Sequence, residues 1–224
     1  MTIRLSLFIG LLIASQTLLA QRDNFNLDLL MQKDYPEDCN DIWGYVDENG
    51  NEYAILGTVE ATAILALDGP DAPREIAYIP GTRSTWRDMK HFGDRVYVTT
   101  DVGEDGLLII DMSEISSDSV DFFYWTPQLS LNGNDLGVLD KCHNLYVDDT
   151  SGYLYLSGCN NLNSGGMLIF DLNENPDEPK LIGASRSVYS HDVYVNDSLM
   201  FGNDIYNGEL SIFDVTDKSS PELV

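Results

Sequence analysis

Leu107-Leu108-Ile109-Ile110-Asp111 is a run of four apolar residues closed by an aspartate, and the chain repeats it. The other copies are Ala63-Ile64-Leu65-Ala66-Leu67-Asp68, Met167-Leu168-Ile169-Phe170-Asp171 and Leu210-Ser211-Ile212-Phe213-Asp214. Their closing aspartates stand 43, 60 and 43 residues apart, and self-similarity at such a period marks a repeat architecture. Three of the four runs lead into a proline-containing turn, at Pro73, Pro176/Pro179 and Pro221; the second leads into Ser116-Ser117.

Ahead of each run a polar pair opens an alternating strand: Asn40-Asp41, Arg87-Asp88, His143-Asn144 and His191-Asp192. A turn follows each strand, at Asn49-Gly50, Gly93-Asp94, Ser151-Gly152 and Asn196-Asp197, and then a second strand. Asn-Gly between alternating strands is the strongest of these hairpin signals. Each unit therefore reads as strand, tight turn, strand, Gly-containing loop, strand ending in Asp, turn, strand. The expected fold is all-β: a β-propeller of four-stranded antiparallel blades. The blades fall at about residues 39–83, 84–139, 140–186 and 187–224, after a lead-in segment at 21–38. A β-sandwich also supplies many short strands. It does not predict the same polar pair and the same aspartate recurring in phase. The chain stops at Pro221-Glu222-Leu223-Val224, where the earlier units begin their outermost strand, so the fourth blade reads as incomplete and the chain as the N-terminal part of a larger propeller.

The N-terminus carries an export signal. Arg4 supplies the positive start, Leu5 to Ala14 an apolar core, and Leu18-Leu19-Ala20 a cleavage site before Gln21, although Leu18 is larger than the usual small residue. The apolar core is too short to cross ~30 Å of hydrocarbon, so no transmembrane segment is expected once the signal is removed. The chain is expected to be secreted, extracellular or at the outer cell surface. With 12 basic residues against 37 acidic ones it carries a net charge of −25. That balance excludes nucleic acid as a partner, because no phosphate-neutralising patch exists.

Three cysteines follow the signal. A hairpin of Asn144–Val147 with Tyr153–Leu156, pairing Val147 with Tyr153, sets Cys142 opposite Gly158 and one residue from Cys159. Cys142 and Cys159 are the disulfide candidates, and Cys39 is left over.

In a propeller the first strand of each blade lines the central channel. The polar pairs would then bring Asn40, Asp41, Arg87, Asp88, His143, Asn144, His191 and Asp192 into one ring. Imidazole plus carboxylate can hold a divalent metal ion such as Zn or Mn, with His143, His191, Asp192 and Asp88 as candidate ligands. The same groups can supply a general base oriented by an acid. They can equally serve only to hydrogen-bond neighbouring blades. No cofactor beyond a possible metal ion is implied. His91 falls outside this register and reads as solvent-exposed; Trp43, Trp86 and Trp125 read as core. Asp47-Glu-Asn-Gly-Asn51 resembles the start of a calcium loop, but its glycine is fourth and not sixth, which fits a hairpin turn. No nucleophile elbow, His-Glu-x-x-His or phosphate loop occurs.

The Leu-Ile-Ile-Asp and Ser-Ile-Phe-Asp endings, with Cys39-Asn-Asp-Ile-Trp-Gly-Tyr45, Trp86-Arg-Asp-Met-Lys90, His143-Asn-Leu-Tyr-Val-Asp148 and Tyr189-Ser-His-Asp192, resemble the LVIVD repeat of the choice-of-anchor B family. The resemblance runs from Cys39 to the C-terminus. It implies a bacterial β-propeller, often attached to the cell surface through a C-terminal region that is absent here, with no established activity. The expected function is an extracellular binding or scaffold module, with a protein, peptide or glycan as partner and no assignable catalysis. The alternative is a metal-dependent enzyme with a His/Asp site at the central channel; a purely structural surface-layer role is a third possibility.

Overall fold

The structure, a computed structural model, describes residues 27–159 and 161–224. The expected signal peptide lies outside the described residues, as do residues 21–26 of the lead-in. From Lys33 onward the chain folds into one compact unit of β-sheet. The first sheet holds β1 (Cys39–Val46), β2 (Glu52–Thr58), β3 (Ala61–Ala66) and β4 (Arg74–Pro80). The second holds β5 (Arg87–Phe92), β6 (Arg95–Thr100), β7 (Leu107–Asp111) and β8 (Asp121–Trp125). A separate hairpin, β9 (Gln128–Leu131) with β10 (Asn134–Val138), follows and accounts for the longer 60-residue interval between closing aspartates. The third sheet holds β11 (Asn144–Asp148), β12 (Tyr153–Ser157), β13 (Leu168–Asp171) and β14 (Lys180–Ala184). The fourth holds β15 (Val193–Asn196), β16 (Leu199–Asp204), β17 (Glu209–Asp214) and β18 (Glu222–Leu223). Within every sheet the strands run in chain order, each antiparallel to the next. Among the described residues no helix is long and apolar enough to cross a membrane.

The apolar runs are continuous because the middle strands are covered on both faces. Successive side chains of a strand point to opposite sides. In β6, Val96 and Val98 pack toward the first sheet while Tyr97 packs toward the third. In β7, Leu108 and Ile110 face the first sheet, and Leu107 and Ile109 the third. The third sheet repeats the arrangement: Leu154, Leu156, Leu168 and Phe170 point back to the second sheet, Tyr155 and Ile169 forward to the fourth. Neighbouring sheets are thus joined face to face by apolar layers. Each fully buried Leu, Ile or Phe contributes about 1.5–3 kcal/mol relative to exposure.

The aspartate after each run ends the strand. Asp111, Asp171 and Asp214 each accept the backbone N–H two residues on, at 2.9, 2.9 and 2.8 Å, which is an Asx turn. Asp68 accepts the Glu52 N–H instead. Asp47 is likewise a turn residue and accepts from Asn49 N, Asn51 N, Asn51 Nδ2 and the Tyr53 hydroxyl.

Cys142 and Cys159 form a disulfide. The sequence reading placed the β11–β12 register one residue out. The strands pair Asp148 with Tyr153 and Asn144 with Ser157, so continuing the ladder by two residues sets Cys142 opposite Cys159. Cys39 is free and exposed. The bond closes a short loop with a sequence separation of 17, for which the chain-entropy estimate is about 3 kcal/mol. Converting both cysteines to serine is expected to lower the urea-unfolding free energy by roughly 2–4 kcal/mol. An unchanged midpoint would show that the unfolded chain gains nothing from release of the loop.

Candidate functional site

In a hairpin the start of the first strand and the end of the second lie at the same end of the sheet. The four polar pairs therefore share that end with the residues that follow β2, β6, β12 and β16. The first strands are spatial neighbours in the order β1, β5, β11, β15. Between them opens a cleft of about 370 Å³ lined by all eight residues of the polar pairs, together with Trp86, Lys90, Leu145, Tyr146 and Val193.

Part of this polarity joins the sheets. Asp88 Oδ2 accepts from Asn144 Nδ2 at 2.6 Å and from the Leu145 N–H at 3.1 Å, while Asn144 Oδ1 accepts the Val193 N–H at 3.1 Å. Asp88 Oδ1 takes the Met89 N–H and the Lys90 ammonium. Asn40 Nδ2 donates to the carbonyls of Thr58 and Ser84. Arg87 is only 6% exposed, and it spends Nε on the Thr58 carbonyl and an Nη on the Thr82 carbonyl. Burial lowers its pKa from the ordinary arginine value. Asp41 moves the other way: burial, and then the adjacent Asp88 carboxylate, push its carboxyl above the usual range against the pull of Lys90.

The histidines are placed differently. Their ring centroids are 4.0 Å apart, and a ligand atom from each of His143, His191 and Asp192 lies within 4.8 Å of the other two. His191 Nδ1 is 2.9 Å from Asp192 Oδ2. His143 Nδ1 is 3.6 Å from Asp101 Oδ2, and Ser84 Oγ holds the other Asp101 oxygen at 2.6 Å. Burial first, and then His191, lower the His143 pKa below the ordinary histidine value, opposed by Asp101 and Asp192. The neutral form of His143, which carries a nitrogen lone pair, is favoured by this environment. Two imidazoles and a carboxylate on one wall form a donor set suited to a borderline divalent ion.

Several expectations need correction. Asp88 does not join the three-residue group, because both its oxygens are committed to the inter-sheet bonds just described. His91 is not solvent-exposed: its ring packs against Trp43 and edge-on to Tyr45, and its Nδ1 is buried without a partner. Trp86 is not core. It is 57% exposed at the cleft wall, edge-on to His143 at 6.2 Å. Asp101 and Lys90 stood outside the expected ring; the acidic stretch at residues 101–106 reads from sequence only as a loop without the spacing of a known site. The hairpin rule finds Asp101, since it directly follows the strand paired to β5.

Ser190, next to His191, is tied to Asp204, which is 1% exposed and also accepts from Ser211 and Arg186. Those donors outweigh burial and hold the Asp204 pKa below the ordinary carboxylate value. A depressed folded-state pKa means stability that is present above the unfolded value, near about 3.9, and lost as pH falls through the folded one. Asp204→Ala should cost about 3 kcal/mol at neutral pH and less in strong acid. Urea midpoints measured across pH check this. A cost that does not change with pH would remove the electrostatic explanation.

No family model and no curated protein matches this chain. Solved structures do. A provisionally named 6-phosphogluconolactonase of Bacteroides fragilis superposes with a TM-score of 0.54 at 13% identity, over 84% of this chain and 53% of its own. A second provisional 6-phosphogluconolactonase, from Bacteroides uniformis, gives 0.56 at 12% identity, over 82% and 53%. The periplasmic gluconolactonase of Pseudomonas aeruginosa gives 0.54 at 10% identity, over 81% and 52%. The chain shares their fold and spans about half their length.

These findings overturn the resemblance to the choice-of-anchor B family and its LVIVD repeat. An apolar run closed by aspartate is what any strand buried between two sheets and ended by an Asx turn must look like. The ending therefore reports geometry and not kinship. The reading of a non-catalytic module is corrected with it, since the structures that share the fold carry the names of enzymes.

Proposed function

We propose that this chain is a hydrolase of cyclic esters, acting at His143, His191 and Asp192 with a divalent metal ion. We further propose that its sheets are successive blades of a propeller, with the cleft at the mouth of the central channel. The observation that carries the reading is the approach of the three ligand atoms to within 4.8 Å, on a fold shared with proteins named as lactonases.

The residues suit the ion. Asp101 Oδ2 stands 3.6 Å from His143 Nδ1, where an outer-shell carboxylate would orient an imidazole that holds the ion. His191 Nδ1 and Asp192 Oδ2 lie 2.9 Å apart, and both residues would help to hold a divalent ion. A metal ion bound here supplies a Lewis acid for the ester carbonyl and lowers the pKa of water. The chain's own groups would hold the ion through His143, His191 and Asp192, with the exposed Trp86 indole on the adjoining wall.

The test uses the purified protein: metal content by elemental analysis, and proton release from D-glucono-1,5-lactone with and without a chelator. One transition-metal ion per chain, with hydrolysis lost on chelation and restored by metal, is the expected result. A metal-free protein without lactone hydrolysis defeats the proposal. Hydrolysis that is indifferent to the chelator defeats its metal-dependent part.

A further inference from the structure

We infer that the cleft takes an uncharged sugar-type ring and discriminates against its phosphorylated form. This rests on the hydrolase reading for the reaction, but not for binding.

Charge comes first. Asp41, Asp88 and Asp192 line the cleft, and Asp101 stands behind His143. Among the described residues, two cations, Arg87 and Lys90, line it in return. Neither is free to meet an anion. The Arg87 guanidinium is turned into the sheet interface and bound to backbone carbonyls. The Lys90 ammonium is held by Asp88 and the Met89 carbonyl, and it lies 4.6 Å from the Trp43 ring centroid. Phosphate recognition draws on unspent arginine forks, lysines or clustered backbone N–H groups. Even with a divalent ion at the histidines, four carboxylates offset the two side-chain cations and the metal together. A phosphate dianion would gain no net attraction there.

Shape supplies the second argument. Trp86 offers a large exposed indole on the wall next to His143. One hydroxyl holds its backbone: the Trp86 N–H donates to Ser84 Oγ at 3.0 Å. The same hydroxyl bonds Asp101. Ser84 is thus a positioning residue that sets the aromatic platform and the carboxylate behind His143 together. Exposing an indole to water is unfavourable unless a ligand covers it, and the indole face matches the C–H face of a six-membered sugar ring. The neighbouring carboxylates and amides supply acceptors and donors for hydroxyl groups.

The experiment is a calorimetric titration of the metal-loaded protein with D-glucono-1,5-lactam, an unreactive ring of the lactone's shape, and with its 6-phosphate. The neutral lactam should bind at least about tenfold more tightly than the phosphate. Trp86→Ala should weaken lactam binding by about three- to tenfold, the range of one aromatic contact, and Trp86→Phe by less. Equal or tighter binding of the phosphate overturns the inference, as does failure of both rings to bind or indifference to Trp86→Ala. Lactam binding without hydrolysis of the parent lactone would defeat the hydrolase reading and leave this inference standing.

Discussion

Replacing His143 or His191 with alanine is expected to empty the metal site and reduce lactone hydrolysis by about 10²–10⁴-fold, the contribution of a positioned acid–base or metal-holding group. The fold should survive both changes. Neither imidazole bonds the backbone of a neighbouring sheet: His143 meets Asp101, and His191 meets Asp192. The sheets are joined instead by Asp88 and Asn144, which stay in place. Asp101→Asn should fall between wild type and these variants, with metal affinity reduced about 10–100-fold, because it acts through His143. Metal content, rate and urea midpoint measured on all three proteins separate the roles. A His143→Ala/His191→Ala protein that keeps its metal and its rate would move the site elsewhere. A Asp101→Asn protein as impaired as His143→Ala would make Asp101 a direct ligand.

The strand pattern was legible because it obeys two strong local rules. Alternation fixes which residues face which neighbour, and the closing aspartates are Asx turns that recur wherever a strand must end in the same way. The same simplicity misled the family assignment, since Leu-Ile-Ile-Asp is dictated by burial on two faces and carries little information about descent. The one-residue error at β11–β12 had a related cause. Turn length sets hairpin register, and the Asp148–Gly152 turn, closed by the bond from Gly152 N to Asp148 O, has the same residue types whichever pairing is chosen.

The candidate site was legible at the level of residues and not at the level of direction. The polar pairs recur in phase, so their convergence on one cleft follows from the repeat. Which way each side chain turns does not follow. Arg87 and Asp88 occupy the same repeat positions as His143 and Asn144, yet Arg87 faces backbone carbonyls and Asp88 is consumed by Asn144 and Lys90. The partners that decide this range from Lys90 and Thr82, close in the chain, to Asn144, which lies on the next sheet. Trp86 escaped for a different reason. A tryptophan between strands is usually core, and only its place at the open end of the sheet exposes it.

Gly158→Ala should damage the fold and the site together. Gly158 has φ +66°, in the left-handed region where a side chain costs about 1–2 kcal/mol. A methyl group there would lie 2.6 Å from His143 Cβ and 3.4 Å from its backbone nitrogen, within a segment that the adjacent disulfide holds in place. His143 cannot yield by rotating its ring, because the clash is at Cβ. Strain and overpacking together predict a loss of roughly 2–4 kcal/mol and a displaced His143. Gly152→Ala is the matching control. Its φ is +76°, so it suffers comparable strain, but the added methyl would meet the side-chain amide of Asn173, which can move by giving up its bonds to Ser151 O, Gly152 O and Asp171, away from the site. Both variants should unfold at lower urea, and Gly158→Ala alone should also lose metal and hydrolysis. If Gly158→Ala bound metal as tightly as Gly152→Ala at equal stability, the position of His143 would not govern the site, and the metal would have to rest on His191 and Asp192 with other partners.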